Sequence, residues 1–196
     1  ETALPHMEKA LSLSRDMDDT LMIAVQTNNL GRAYFLMDDF ETARGLQKQA
    51  VTAATALDNV RWGAYFQSDL AETLVALGRM DEAEPLYQAA LEAAESLNEP
   101  VSATTIRARM AALYVQTGRN TEAFTLAKKA DSDARKMHFT KGQADAQRVL
   151  ADIAAANGDT ITAQSRARDA AKFYCILHDP ALKKLHARYP ELAEAE

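Results

Sequence analysis

Apolar residues along this chain recur at intervals of three and four, with polar residues between them, which lines one side of a helix with apolar groups. From Arg61 to Leu77 the pattern predicts one such helix, closed by Gly78. From Asp81 to Leu97 it predicts a second, ended by Asn98 and Pro100. The pair then recurs with a fixed period. One constant interval, the step from Gly31 to Ala71, leads on to Ala111 and Ala151. The same interval joins Ala43, Ala83, Ala123 and Ala163, then Ala50, Ala90, Ala130 and Ala170, and then Asp38, Gly78, Gly118 and Gly158. Large apolar positions keep the phase: Leu30, Leu70, Met110 and Leu150 are followed by Tyr34, Leu74, Tyr114 and Ala154. Columns that stay in register without an insertion define a tandem array of helix pairs. The small columns have a steric reason. At Gly31 and its equivalents the first helix of a pair, helix A, crosses the second, helix B, and only a small side chain lets the two backbones approach.

These residues resemble the tetratricopeptide repeat family. Leu30-Gly31 with Tyr34 matches its helix A, and Ala43 and Ala50, seven apart, match its helix B. The resemblance covers nearly the whole chain. The usual period is about 34 residues; here it is 40, which lengthens both helices. Such variants are similar to those of kinesin light chains, bacterial peptide-pheromone receptors, and sensor regions of large bacterial transcription regulators and nucleotide-cyclase proteins. The resemblance implies an all-α, right-handed superhelical solenoid of antiparallel helix hairpins in a single domain. It would hold a half-repeat over 1–17, repeats over 18–58, 59–98, 99–138 and 139–178, and a capping helix and tail over 179–196.

The family's function is to hold a protein or peptide in the concave groove lined by helices A. Carrying its groove stripe onto this chain selects Val25, Asn28, Arg32 and Phe35, then Tyr65, Ser68, Glu72 and Val75. It continues with Thr105, Ala108, Ala112 and Val115, with Gln116 beside them, and with Asp145, Arg148, Asp152 and Ala155. Met22 and Trp62 lie one turn upstream. Aromatic and arginine side chains are the usual anchors of interfaces, and the amide of Asn28 or Asn29 can pair with a ligand backbone. Phe35 and Tyr65 have a second reading, as packing between neighbouring A helices. The family's two-carboxylate clamp for chaperone tails is excluded: Asn28 and Arg32 fit part of it, but Ser68, Glu72, Ala108 and Ala112 do not.

Composition narrows the function further. A net charge of -6 argues against a nucleic-acid partner. No apolar run is long enough to span a bilayer. Cys175 is the single cysteine, so neither an intrachain disulfide nor a multi-cysteine metal site can form, and its place on helix B predicts a buried thiol. His6, His138, His178 and His186 lack metal-ligand spacing, and no phosphate-binding loop or nucleophile elbow occurs. The pairs Asp18-Asp19 and Asp38-Asp39 fall at helix junctions and read as caps. Lys128-Lys129 and Arg135-Lys136 read as a solvated face, and Lys183-Lys184 with Arg188 lie on the capping helix. The chain is therefore expected to be no enzyme and to need neither metal nor cofactor. The leading expectation is a cytoplasmic protein- or peptide-binding region of a larger bacterial signalling or regulatory protein. A peptide-pheromone or small-ligand sensor and an oligomerisation module are the alternatives.

The two ends complete the pattern. Ala3 and Ala10 stand one full period before Ala43 and Ala50, so Thr2 to Arg15 reads as a helix B without its helix A. That edge predicts a further helix before Glu1 and, without one, fraying or a two-fold dimer through this helix. Asp179-Pro180 predicts the start of the capping helix, with Leu182 and Leu185 on one side.

Overall fold

The computed structural model describes residues 3–193; Thr2 and the end of the expected tail lie outside the described residues. The helices are α1 (Ala3–Asp16), α2 (Thr20–Leu36), α3 (Phe40–Ala56), α4 (Val60–Ala76), α5 (Met80–Ser96), α6 (Pro100–Gln116), α7 (Asn120–Lys136), α8 (Thr140–Ala156), α9 (Thr160–Ile176) and α10 (Ala181–Arg188). A short 3-10 turn, Pro190–Leu192, follows, and no strand occurs among the described residues. The fold is all-α, built of tandem antiparallel helix pairs.

The turns explain the regularity. Asp18, Asp38, Asp58, Gly78, Asn98, Gly118, His138, Gly158 and His178 all have positive φ, between 49° and 78°. They recur at half the repeat period, so the turn inside a hairpin and the turn between hairpins are alike. The next residue's N–H reaches back to a carbonyl in the last helical turn, as from Asp39 to Tyr34 at 3.0 Å and from Arg79 to Leu74 at 2.8 Å. This satisfies carbonyls that the helix end would leave bare. From α2 to α9 each following helix opens directly after that residue. Asp19, Asp39, Asn59 and Asp159 cap it by accepting the N–H three residues on, which starts α4 at Val60, one residue before the expected Arg61. Phe139 occupies the same place without capping. Its ring lies over Gly142, where a Cβ would come within 2.4 Å of ring carbon Cδ1.

Contacts divide the chain into two compact units, one running up to Asn98 and one starting at Glu99. In the first, α2 packs against α3 and α4. A Cβ at Gly31 would lie 2.9 Å from Gln47 Cγ and 3.2 Å from the Ala43 carbonyl oxygen, which is why this crossing needs glycine. Phe66, fully buried, fills the space beside Ala24, Ala50 and Ala54. In the second unit, Ala123, Ala127, Ala130 and Ala134 form the buried face of α7. The face of α9 holds Ala163, Ala167, Ala170, Ala171 and Tyr174.

The expected capping helix is present. Leu185, Tyr189 and Leu192 pack with Ala144, Ala151 and Ala154 of α8 and with Tyr174. Asp179 accepts the Ala181 N–H at 2.8 Å, which fixes the start of α10. Polar contacts lock the cap. Asp152, only 4% exposed, receives Arg188 Nε at 3.1 Å and the Tyr189 hydroxyl at 3.4 Å, while Arg148 Nη1 sits at 3.2 Å. Tyr174 donates to Asp145 at 2.7 Å. Cys175 corrects an expectation: its thiol is exposed, because it falls one residue past Tyr174 and so off the buried face of α9.

Two predictions come from these interiors. Gln47 is fully buried, yet neither end of its amide has a hydrogen-bond partner. The residue one period earlier is Met7. Methionine has nearly the same length and shape without the polar atoms. Gln47→Met should therefore raise the unfolding free energy by about 1–2 kcal/mol in urea melts. The tyrosines supply the second. Burial, aided by the Asp152 carboxylate, pushes the Tyr189 hydroxyl up to about 12, and burial followed by Asp145 raises that of Tyr174 further. The unfolded chain ionises its tyrosines near pH 10, about their ordinary value. The contribution of the neutral hydroxyls is therefore complete below that pH and is lost as the pH rises towards 12. Tyr189→Phe should lose less stability over this alkaline window than the unaltered protein. Urea melts paired with tyrosinate absorbance at each pH check it.

Candidate functional site

In the first unit the A-helix face is built by α2 and α4. Three aromatic rings cluster at the start of α4. Trp62 stacks on Phe66 at 5.6 Å between centroids, and Tyr65 meets the Trp62 ring edge-on at 5.8 Å. Phe66 is wholly inside, Trp62 is half-buried against the Ala24–Ala50 cluster, and Tyr65 remains 44% exposed. On α2, the Arg32 guanidinium lies 5.3 Å from the centroid of the Phe35 ring. Arg32 also donates to Glu72 and stands 3.6 Å from Asp69. The Arg32 and Glu72 side chains each keep somewhat over a quarter of their surface open.

Beneath this face the polar residues are consumed by packing. Asn28 is fully buried, and its Nδ2 donates to Asp69 at 2.8 Å. Ser68 is buried as well. Neither presents its side chain to solvent. The set that reaches solvent from the sequence-derived stripe is thus exposed Tyr65 with half-buried Phe35, Arg32, Glu72 and Trp62. Sequence reasoning misses Asp69, although it organises the face. A signal for it exists: it stands one repeat and one residue after Asn28, next to Leu70 of the large apolar column.

In the second unit the corresponding residues have other duties. Ala108 is buried against Ala130 and Ala146. Thr105 bonds its own helix at the Val101 carbonyl, 3.1 Å away, and Gln116 is exposed at the end of α6. Asp145 holds Lys141 at 2.6 Å and Tyr174, and Arg148 with Asp152 serves the cap. Burial raises the Asp152 carboxyl above its ordinary range, against the pull of Arg148 and Arg188. A further polar junction, also missed in the sequence, links Asp131 to Gln147 at 2.9 Å, and Gln147 in turn accepts from Arg166 at 3.1 Å. Lys128, Lys129, Arg135 and Lys136 lie on the exposed side of α7, where Lys129 pairs with Asp133 and Arg135 with Asp131.

Among the described residues no group of three His, Cys, Asp or Glu side chains is placed to hold a metal ion. No described helix is long and apolar enough to cross a membrane. What this face presents is aromatic rings at the edge of a core, beside an arginine and a carboxylate.

Comparison with known proteins points the same way. Two family models, each described as tetratricopeptide repeat, match residues 23–57 and 64–136 and between them take in more than half of the chain. No curated protein is similar enough in sequence to count as a match. Solved structures are similar in fold. BtubC (BKLC) from P. vanneervenii superimposes with a TM-score of 0.73 at 18% identity, covering 100% of this chain and 83% of its own. A Rap protein complexed with Competence and Sporulation Factor gives 0.70 at 15% identity, over 99% of this chain and 60% of its own. YrrB, a TPR protein with an unusual peptide-binding site, gives 0.56 at 20% identity, over 96% and 86%. The helix pairs, the columns of small residues at their crossings and the family matches together make this chain a tetratricopeptide repeat protein.

Proposed function

We propose that the chain is a protein- or peptide-binding scaffold that uses the exposed A-helix face of its first unit, and that it serves a signalling or regulatory protein. The observation that carries the reading is the pairing of an aromatic edge, Tyr65 with Trp62, with the partly open Arg32–Glu72 pair and Phe35 on one face. Aromatic and arginine groups held rigidly at a surface lose little entropy on binding and dominate interface energies. Two similar structures belong to proteins whose descriptions name a bound factor or a peptide-binding site. A partner segment with an apolar side chain for the Tyr65–Trp62 edge and a polar backbone for Arg32 and Glu72 suits this face.

Tyr65 and Asn28 separate binding from folding. With a partner captured through a photo-crosslinker at Tyr65, Tyr65→Ala should weaken binding by about 1 kcal/mol or more and leave the melting curve nearly unchanged. Asn28→Ala should do the reverse: it removes the amide donated to buried Asp69 and lowers stability by about 1–3 kcal/mol. Trp62 emission should shift on binding. A partner whose affinity ignored Tyr65, Phe35 and Arg32 alike would move the site off this face.

A further inference from the structure

An open cleft of about 550 Å³ lies between two B helices of the first unit and shares no lining residue with the Tyr65–Arg32 face. Arg44 and Lys48 of α3 stand on one side, and Arg79 and Pro85, at and after the start of α5, on the other. Leu70 and Leu74 of α4 form the floor. Both flanking helices pack on α4, so the cleft is complete inside this unit and owes nothing to either end of the chain.

One period further on, the chain supplies an occupant of its own. Arg79 and Arg119 are equivalent positions. Each follows a turn glycine with φ 75°, Gly78 or Gly118. Each stands at the N-cap of its helix with similar backbone angles, φ -97° and ψ 59° against φ -85° and ψ 55°. Each also grips the glutamate three residues on with two bonds. Arg79 Nε and Nη2 donate to Glu82 at 2.6 and 2.8 Å, and Arg119 Nε and Nη2 donate to Glu122 at 2.8 and 2.6 Å. Such a fork fixes the guanidinium plane and leaves its flat face for stacking. On Arg119 a ring takes that face: its Cζ lies 3.8 Å from the Tyr114 centroid. The equivalent of Tyr114 in the earlier repeat is Leu74, and none of the residues lining the cleft is aromatic. We infer that the cleft receives an aromatic side chain of a partner protein, seated on Leu70 and Leu74 and stacked under Arg79 as Tyr114 is under Arg119. An aliphatic side chain would match the floor alone, whereas a ring matches the floor and the cation together. A cationic side chain is the wrong occupant, since Arg44, Lys48 and Arg79 stand there against Asp81 and Glu82. The proposal extends the scaffold reading to a second surface.

The probes are two acetylated, amidated pentapeptides of alanine, one with tryptophan and one with leucine at the centre. Each is titrated into the intact chain with its leucine methyl groups labelled for NMR. The tryptophan peptide should shift the Leu70 methyl resonances by its ring current and bind about tenfold tighter than the leucine peptide. Leu74→Tyr gives α4 the residue that α6 carries at the same place. It should close the cleft and weaken the tryptophan peptide at least about tenfold, read at Leu70. Arg79→Gln removes the stacking face at a partly exposed position, so it tests the proposal even where Leu74→Tyr disturbs the fold. It should bring the affinity for the tryptophan peptide down to near that for leucine. Equal affinity for the two peptides, no shift at Leu70, or binding that Arg79→Gln leaves unchanged overturns the proposal. So does a dimer, seen by light scattering, that Leu74→Tyr dissolves, because the cleft would then hold a second copy. Tyr65→Ala should leave the peptide shifts as they are; their loss in that variant would assign the peptide to the A-helix face and likewise sink the idea.

Discussion

A backbone held in the left-handed conformation at regular intervals, twice in every repeat, governs the rest of this molecule. Such a turn costs an ordinary side chain roughly one to two kilocalories per mole, and glycine nothing. Asparagine, aspartate and histidine are the side chains that tolerate it best. Among the described residues every turn position with positive φ obeys that limit: Gly78, Gly118 and Gly158 are glycine, and the others are Asp, Asn or His. Because the turn residues fall at one constant spacing, α2 to α9 all have the same length of 17 residues. Equal lengths bring the small residues to the same height in every pair. Gly31 meets α3 at Gln47, and Ala43, Ala83, Ala123 and Ala163 are all buried.

That regularity is why the fold is readable from the residues. Gly78 and Asn98 are recognisable as turn residues, and the columns set the phase. Asp18, Asp58, His138 and His178 do the same job with less distinctive chemistry, so the beat of single helices stays hidden behind that of the hairpins. The site is less readable, for a physical reason. A helix A in this array is covered on two sides, by its own partner and by the next helix A, and one buried polar group can claim a position that would otherwise face solvent. Asp69 does this to Asn28. Asp152 is likewise drawn into the cap by Arg188 and Tyr189, contacts that no helical stripe encodes. Cys175 misleads because adjacent positions on a helix differ by about 100° in direction, and it is Tyr174 that points inward.

Buried carboxylates join helices within each unit. Asp69 binds Asn28 and Arg32 of α2, Asp131 binds Gln147 of α8, and Asp152 binds Arg188 of α10. Charges withdrawn from water gain little net stability, since desolvation offsets most of the attraction. Their effect is on register. Alanine surfaces slide past one another with small penalties, and a carboxylate with one matching partner removes that freedom. The alanine columns allow close approach, and the scattered Asp–Arg and Asp–amide contacts select one alignment among the many that such smooth faces permit.

The uniform turn also bears on how such a chain can change length. Hairpin turns and inter-hairpin turns have the same backbone form, so the smallest block that can be copied or lost without disturbing a turn is a single helix with its turn. Only whole hairpins keep the two faces in step, because the small position of helix A at Gly31 and those of helix B at Ala43 and Ala50 fall at different heights from the turn. One residue gained or lost within a helix would rotate everything beyond it by about 100°. Growth by whole hairpins is thus easy for this architecture, and growth by any other increment is nearly closed to it.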